Sequence, residues 1–133
     1  MMELLADVDA LTAAAKPVAK VHGIWELVLH IAVWDGVAST RLSGQRCQPK
    51  GLANFPLPSK PTNAAWRKAL SQTKRTHQSL IKTVAALPDE RLLDRVPGKP
   101  YDFYHMLHGI VQHELYHAGQ IALLKKAQAR ARK

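Results

Sequence analysis

Two histidines in the C-terminal third of the chain have the spacing of a metal-ligand pair. His113 and His117 are four residues apart, so on a helix both imidazoles leave the same face, one turn apart. Such a pair can bind one metal ion from a rigid scaffold. We expect the pair to point into the protein, because the other residues of that face are apolar. These residues are Met106, Ile110, Ile121 and Leu124.

A third histidine lies on the apolar stripe of an earlier predicted helix. His30 shares a face with Leu27 and Trp34, which indicates that its ring also points inward. Alone, such a residue is more often a hydrogen-bonded core histidine than a ligand. With His113 and His117 it would form a three-nitrogen site that keeps a coordination position open, as catalytic metal sites do. Neutral imidazoles suit zinc, nickel, copper or iron.

The remaining histidines are weaker candidates. His77 is predicted on the core face of its helix, where it is a possible fourth ligand, although a hydrogen-bonded core histidine is the favoured interpretation. His105 and His108 point about 100° and 160° away from the His113/His117 direction. His22 is predicted to stand at the start of a helix.

The segment HELYH (113–117) matches H-E-x-x-H, a pattern in which zinc peptidases use the glutamate as general base. Those enzymes take a further ligand from downstream of the motif. The sixteen residues after His117 contain no His, Asp or Glu. The sequence therefore disfavours a peptidase.

Helices must position these histidines, and proline marks where helices can run. Long proline-free stretches carry apolar residues at helical spacing, whereas no segment alternates as a strand would. With an N-terminal segment ended by Pro17, this pattern predicts an all-α four-helix bundle in a single domain, 1–133. The predicted helices cover 3–16, 22–43, 62–87 and 102–126.

Residues 44–60 form a long link between the second and third helices, rich in glycine and proline. At roughly 3.3 Å per extended residue, this link can run the length of a bundle. The second and third helices are then either parallel, joined by a crossover, or a simple antiparallel pair. Both arrangements fit the spacing.

Composition and charge bound the function. Lys and Arg number 19 against 10 Asp and Glu, a net charge of +9, and a basic tail occupies about 125–133. Cys47 is the only cysteine, which excludes a thiolate metal cage. No apolar run approaches the roughly 20 residues of a membrane span, and we expect a cytoplasmic protein.

One face of the third helix suggests a different class of function. Arg67, Lys74 and Arg75 lie on it with further cations, and they are candidate anion-binding residues. A nucleic-acid-binding module would use this face and the basic tail. Few aromatic residues accompany the cations, which disfavours stacking on bases.

Two blocks of sequence resemble the DinB-like (DinB/YfiT) superfamily of metal-binding four-helix bundles. They are HGIWELVLHIAVW (22–34) and YHMLHGIVQHELYHAGQIALL (104–124), with LPDERL (87–92) between them. The likeness covers about residues 20 to 127. The first helix is shorter than that of the relatives.

The resemblance implies an up-down-down-up bundle with the long crossover between helices 2 and 3. It also implies a divalent metal, zinc or nickel, held by His30, His113 and His117, and a homodimer. Some relatives are metal-dependent transferases of low-molecular-weight thiols, and many have no assigned activity. A metal-dependent thiol transferase or hydrolase and a non-catalytic metal-binding protein both remain open.

Three further residues are candidates to support the ligands. Glu26 and Gln120 lie within about 40° of the ligand faces, where each could orient an imidazole through a hydrogen bond. Tyr116 is a candidate to line a substrate pocket, with plain packing as the alternative. The catalytic residues themselves are not assigned by the sequence.

Overall fold

The computed structural model describes residues 1–131 and is helical, with no strand in that part of the chain. The predicted four-helix bundle is confirmed. Three short 3-10 turns lie between or before the helices. The basic tail continues the last helix as far as residue 131, whereas Arg132 and Lys133 lie outside the described residues. The helices are α1 (Ala10–Ala14), α2 (Ile24–Leu42), α3 (Asn63–Ala85) and α4 (Phe103–Ala131).

The predicted first helix over 3–16 is wrong in extent. A 3-10 turn covers Met2–Leu5, and α1 begins only after Asp9, whose carboxylate accepts a hydrogen bond from the Thr12 amide at 2.7 Å. The carbonyl of Val8 is also diverted, since the Trp66 indole donates to it at 2.7 Å. Tertiary contacts and a new N-cap therefore interrupt a segment whose periodicity alone indicated one helix.

The second and third helices are parallel, so the predicted crossover is confirmed. Trp25 and Trp66, near the two N-termini, pack with ring centroids 5.1 Å apart. Further towards the C-termini of the same two helices, Asp35 of α2 and His77 of α3 are hydrogen-bonded at 3.0 Å. The link of residues 43–62 therefore runs the length of the bundle before α3 begins.

The fourth helix runs antiparallel to α2. Met106, near the start of α4, packs in the same apolar cluster as Leu42 at the end of α2. Ile121 packs with Ile24 at the other end. These contacts complete the up-down-down-up order and bring the middle of α4 beside the middle of α2.

Two apolar clusters fill the bundle, and a polar layer separates them. The layer holds histidines and carboxylates from the middle turns of α2, α3 and α4. One cluster includes Trp25, Ile31, Trp66, Ile121 and Leu124, and the other includes Ala38, Leu42, Leu80, Phe103 and Met106. Each polar side chain in the layer is therefore held by packed helix turns above and below it.

The bundle is less closed between α3 and α4 than elsewhere. A groove of about 460 Å³ lies between the two helices, and Leu80 and Ile110 are among its walls. Ile81 of α3 is 53% exposed at this groove. Its exposure follows from the gap, since α4 does not cover it.

Candidate metal centre

The three histidines singled out from the sequence meet in the polar layer. His30 comes from α2, and His113 and His117 come from successive turns of α4. The Nε2 atom of His113 lies 3.0 Å from Nε2 of His30 and 3.0 Å from Nε2 of His117. His30 and His117 are buried, whereas His113 is half-buried.

Hydrogen bonds on the far side of two of the rings decide where their protons are. Nδ1 of His30 lies 2.7 Å from the carbonyl oxygen of Asn54, and Nδ1 of His117 lies 2.6 Å from Oε1 of Gln120. Both oxygens can only accept, so each Nδ1 must carry the hydrogen. In the neutral rings, Nε2 of His30 and of His117 therefore presents a lone pair towards His113.

This arrangement is poor for an imidazole cluster alone and good for a metal site. Neutral His113 has one hydrogen at most, so it cannot satisfy both lone pairs that face it. Its own Nδ1 is buried without a hydrogen-bond partner among the described residues. Tetrahedral zinc with bonds of about 2.0–2.1 Å would place its nitrogen ligands about 3.3 Å apart, close to the spacing found.

The surroundings also favour the neutral, ligating form of the rings. Burial, followed by the neighbouring rings of His117 and His30, lowers the pKa of His113 to about 4. Burial likewise lowers the pKa of His30. Both imidazoles are therefore neutral at pH 7, which is the form that binds a metal ion.

Residues of the crossover hold His30 in place, and the sequence interpretation missed them. The Phe55 ring stacks on the His30 imidazole, 3.8 Å away and within 3° of parallel. Asn54 accepts from His30 through its backbone and from the Trp34 indole through its side chain, at 3.0 Å. These contacts depend on the path of the crossover. A loop has no sequence periodicity from which they could be predicted.

A second groove opens beside His113. It encloses about 440 Å³, and its walls include Trp34, Tyr101 and Ile110. One charge lies in its wall: Arg41, which is 2% exposed. Within the described part of the chain, Arg41 forms no salt bridge.

Neutral groups hold the Arg41 guanidinium. Its Nε and Nη2 donate to the carbonyl of Cys47 at 3.0 and 2.7 Å, and Nη2 also donates to Gln48. Nη1 makes only a long contact, 3.4 Å, with the Tyr101 hydroxyl. Burying a cation without a counter-ion is costly, and the Arg41 guanidinium has no anionic partner among the described side chains.

Of the three residues predicted to support the ligands, Gln120 and Tyr116 lie at the histidine cluster and Glu26 does not. Gln120 contacts His117 directly and donates from its Nε2 to the Tyr116 hydroxyl at 3.1 Å. Tyr116 is largely exposed, with its ring against the edge of His117. Glu26 caps α2 instead: its carboxylate accepts from the Gly23 amide at 2.7 Å and from Lys16 at 3.1 Å.

The remaining sequence candidates lie away from the three-histidine cluster. His77 is bonded to Asp35 and is not a fourth ligand in this arrangement. His105 pairs with Asp102 at the start of α4, at 2.7 Å. The His108 ring lies against the Tyr104 ring, with centroids 4.5 Å apart and planes tilted by 58°. The predicted anion-binding residues Arg67, Lys74 and Arg75 are exposed on α3.

Comparison with known families agrees with the fold and the cluster. The sequence profile of the DinB superfamily matches residues 1–121. The chain belongs to the DinB superfamily. The match includes the N-terminal segment, so the interrupted first helix of this DinB protein falls within the family's own boundaries.

No curated protein and no solved structure matches this DinB protein significantly. Membership of the superfamily and the histidine cluster together indicate a metal site. Among its described helices, none combines the length and apolarity required to cross a membrane.

Proposed function

We propose that this DinB protein is a metal-dependent enzyme whose divalent ion, zinc or nickel, is held by His30, His113 and His117. The supporting observation is the fixed direction of the Nε2 lone pairs of His30 and His117. Hydrogen bonds from Nδ1 to Asn54 and Gln120 set both tautomers before any ion binds. Three protein nitrogens leave at least one position for water or substrate.

The proposed chemistry is transfer of a small thiol or hydrolysis. When bound, the ion would lower the pKa of a coordinated thiol or water and so supply a nucleophile near neutral pH. The chain's own residues position the reactants. Trp34 and Ile110 would exclude water from the groove beside His113, and Arg41 would hold an anionic group of the substrate.

Arg41 is the basis for proposing an anionic substrate. Its side chain is the charged group in the wall of the groove next to His113, and its Nη1 atom is the least engaged of its nitrogens. A carboxylate would replace the long contact to Tyr101 by a charge-assisted hydrogen bond. Low-molecular-weight thiols that carry a carboxylate fit this requirement.

Metal content tests the proposed ligands. Untagged wild type, His30→Ala and His117→Ala are dialysed against zinc or nickel and analysed by elemental mass spectrometry. We expect each of the two variants to bind one ion per chain fewer than the wild type does. His108→Ala is the matched control, because it removes an exposed histidine of α4 and should leave the content unchanged.

Two outcomes would contradict the assignment. One is a wild type without bound metal after zinc and nickel have both been supplied. The other is full metal content in His30→Ala. Thiol-transfer and hydrolysis screens of the loaded protein then separate an enzyme from a non-catalytic metal-binding protein, and a loaded protein inactive on every anionic substrate tried would favour the latter.

A homodimer is also proposed, on a different observation. Apolar side chains of α4 that face the solvent include Val111 and Leu115, the latter 68% exposed. They lie along the groove between α3 and α4. Light scattering after size exclusion should give twice the chain mass of 14.8 kDa, and Leu115→Lys should shift the protein to a monomer.

A further inference from the structure

A second group of metal-ligating side chains lies in the polar layer, apart from the three histidines. It consists of Asp35 on α2, His77 on α3 and Glu114 on α4, so three helices each contribute one residue. Nδ1 of His77 lies 3.0 Å from Oδ2 of Asp35 and 3.1 Å from Oε1 of Glu114. One ligand atom of each residue lies within 4.8 Å of the others.

This group has more acceptors than donors. Nδ1 of His77 carries at most one hydrogen, and it can serve only one of the two carboxylates. Oδ1 of Asp35 and Oε1 of Glu114 are both buried without a hydrogen-bond donor in the described structure. Asp35 itself is 1% exposed, so water does not readily reach its Oδ1 atom.

In the described residues, the ion pairs of these two carboxylates both go to the His77 imidazole. No Lys or Arg side chain of the described residues forms an ion pair with either carboxylate. A divalent cation would satisfy the orphaned oxygens and neutralise both charges at once.

In a single chain, the group is reachable from outside. His77 and Glu114 line the groove between α3 and α4, and the His77 side chain is 39% exposed. Asp35 closes the inner side. An ion held here would thus have protein ligands on its inner side and open positions towards the groove.

We propose that Asp35, His77 and Glu114 form a second divalent-metal site, independent of the three-histidine centre. Its ligands are two carboxylates and one imidazole. This set is harder, in the sense of hard and soft ligands, than the three imidazoles of the first site. Carboxylates suit manganese and imidazole suits zinc or iron, so this site should accept Mn²⁺ more readily than the first site does.

Manganese binding tests the site in a background that removes the other. Untagged His117→Ala is titrated with Mn²⁺, and free Mn²⁺ is measured by electron paramagnetic resonance. We expect one bound Mn²⁺ per chain. Asp35→Asn, His77→Gln and Glu114→Gln, each added to that background, should weaken binding at least about tenfold.

Matched controls separate ligand loss from unfolding. Glu90→Gln and His108→Gln remove an exposed carboxylate and an exposed imidazole and should leave Mn²⁺ affinity unchanged. Asp35→Asn is nearly isosteric, and circular dichroism checks the fold of each variant. Absence of bound Mn²⁺ in folded His117→Ala would overturn the proposal. Unchanged affinity in folded Asp35→Asn and His77→Gln would do the same.

The Mn²⁺ measurement tests the carboxylate site separately from the three-histidine centre. Zinc or nickel content of His30→Ala reports on the three histidines, whereas Mn²⁺ in His117→Ala reports on the carboxylate site. Failure of either measurement leaves the other interpretable.

Discussion

Substitution of Gln120 should weaken the three-histidine centre without touching a ligand. Oε1 of Gln120 accepts the hydrogen of His117 Nδ1 at 2.6 Å and thereby directs the Nε2 lone pair into the cluster. In Gln120→Leu the imidazole can instead carry its hydrogen on Nε2, where it opposes metal binding. Loss of such a supporting partner costs about 10–100-fold in metal affinity, or about 1.4–2.7 kcal/mol.

The assay is a competition titration of zinc between the protein and a chromogenic chelator. Gln112→Leu provides the matched control, because it makes the same change on the exposed side of α4. Tyr116→Phe should change the affinity less than Gln120→Leu does, since Tyr116 accepts only from the amide nitrogen of Gln120. Wild-type zinc affinity in Gln120→Leu, together with loss of zinc in His117→Ala, would refute the argument that this hydrogen bond sets the tautomer.

Three further predictions concern stability. Trp66→Phe should lower the free energy of unfolding by about 2–3 kcal/mol, because the buried carbonyl of Val8 loses its donor and a cavity remains. Urea titrations measure this loss. A loss below about 0.5 kcal/mol would contradict the prediction. Burial raises the pKa of Glu26, but the Gly23 amide and the Lys16 ammonium together lower it by more than burial raises it. The net shift of the pKa is therefore downward. Glu26 therefore stabilises the fold above its unfolded pKa, so thermal melts of wild type and Glu26→Gln should converge as the pH falls below about 4.5, and a constant gap would contradict the assignment. Gly98 has a φ of +74°, so Gly98→Ala should cost about 1 kcal/mol in the same urea titrations, and no loss would show that the turn can rearrange.

The long helices and the histidine cluster could be predicted because their signals are local. Helical periodicity placed α2 and α3 within two residues of their observed ends. It also put His113 and His117 on one inward face, because four residues return nearly to the same direction on a helix. For α4 the predicted end at residue 126 was too early, since alanines and basic residues continue a helix without an apolar stripe.

Contacts between distant segments could not be predicted in the same way. Asn54 and Phe55 reach His30 only because the crossover takes one particular path. Asp35 was missed although it did give a signal, namely a carboxylate four residues after Ile31 on an apolar face. Its partners come from two other helices, and only the packed bundle identifies them.

The parallel pairing of α2 and α3 has a consequence for how the protein folds. Neighbours such as Trp25 and Trp66 are 41 positions apart in the chain, so this helix pair cannot form as a local hairpin. Closing so long a loop costs entropy before the contacts stabilise it, which slows folding relative to bundles joined by short turns. Because Asn54 and Phe55 belong to that loop, His30 acquires its final orientation only when the crossover docks. During refolding, metal affinity should therefore reach its final value at the rate of the slowest chain rearrangement, and not at the rate of helix formation.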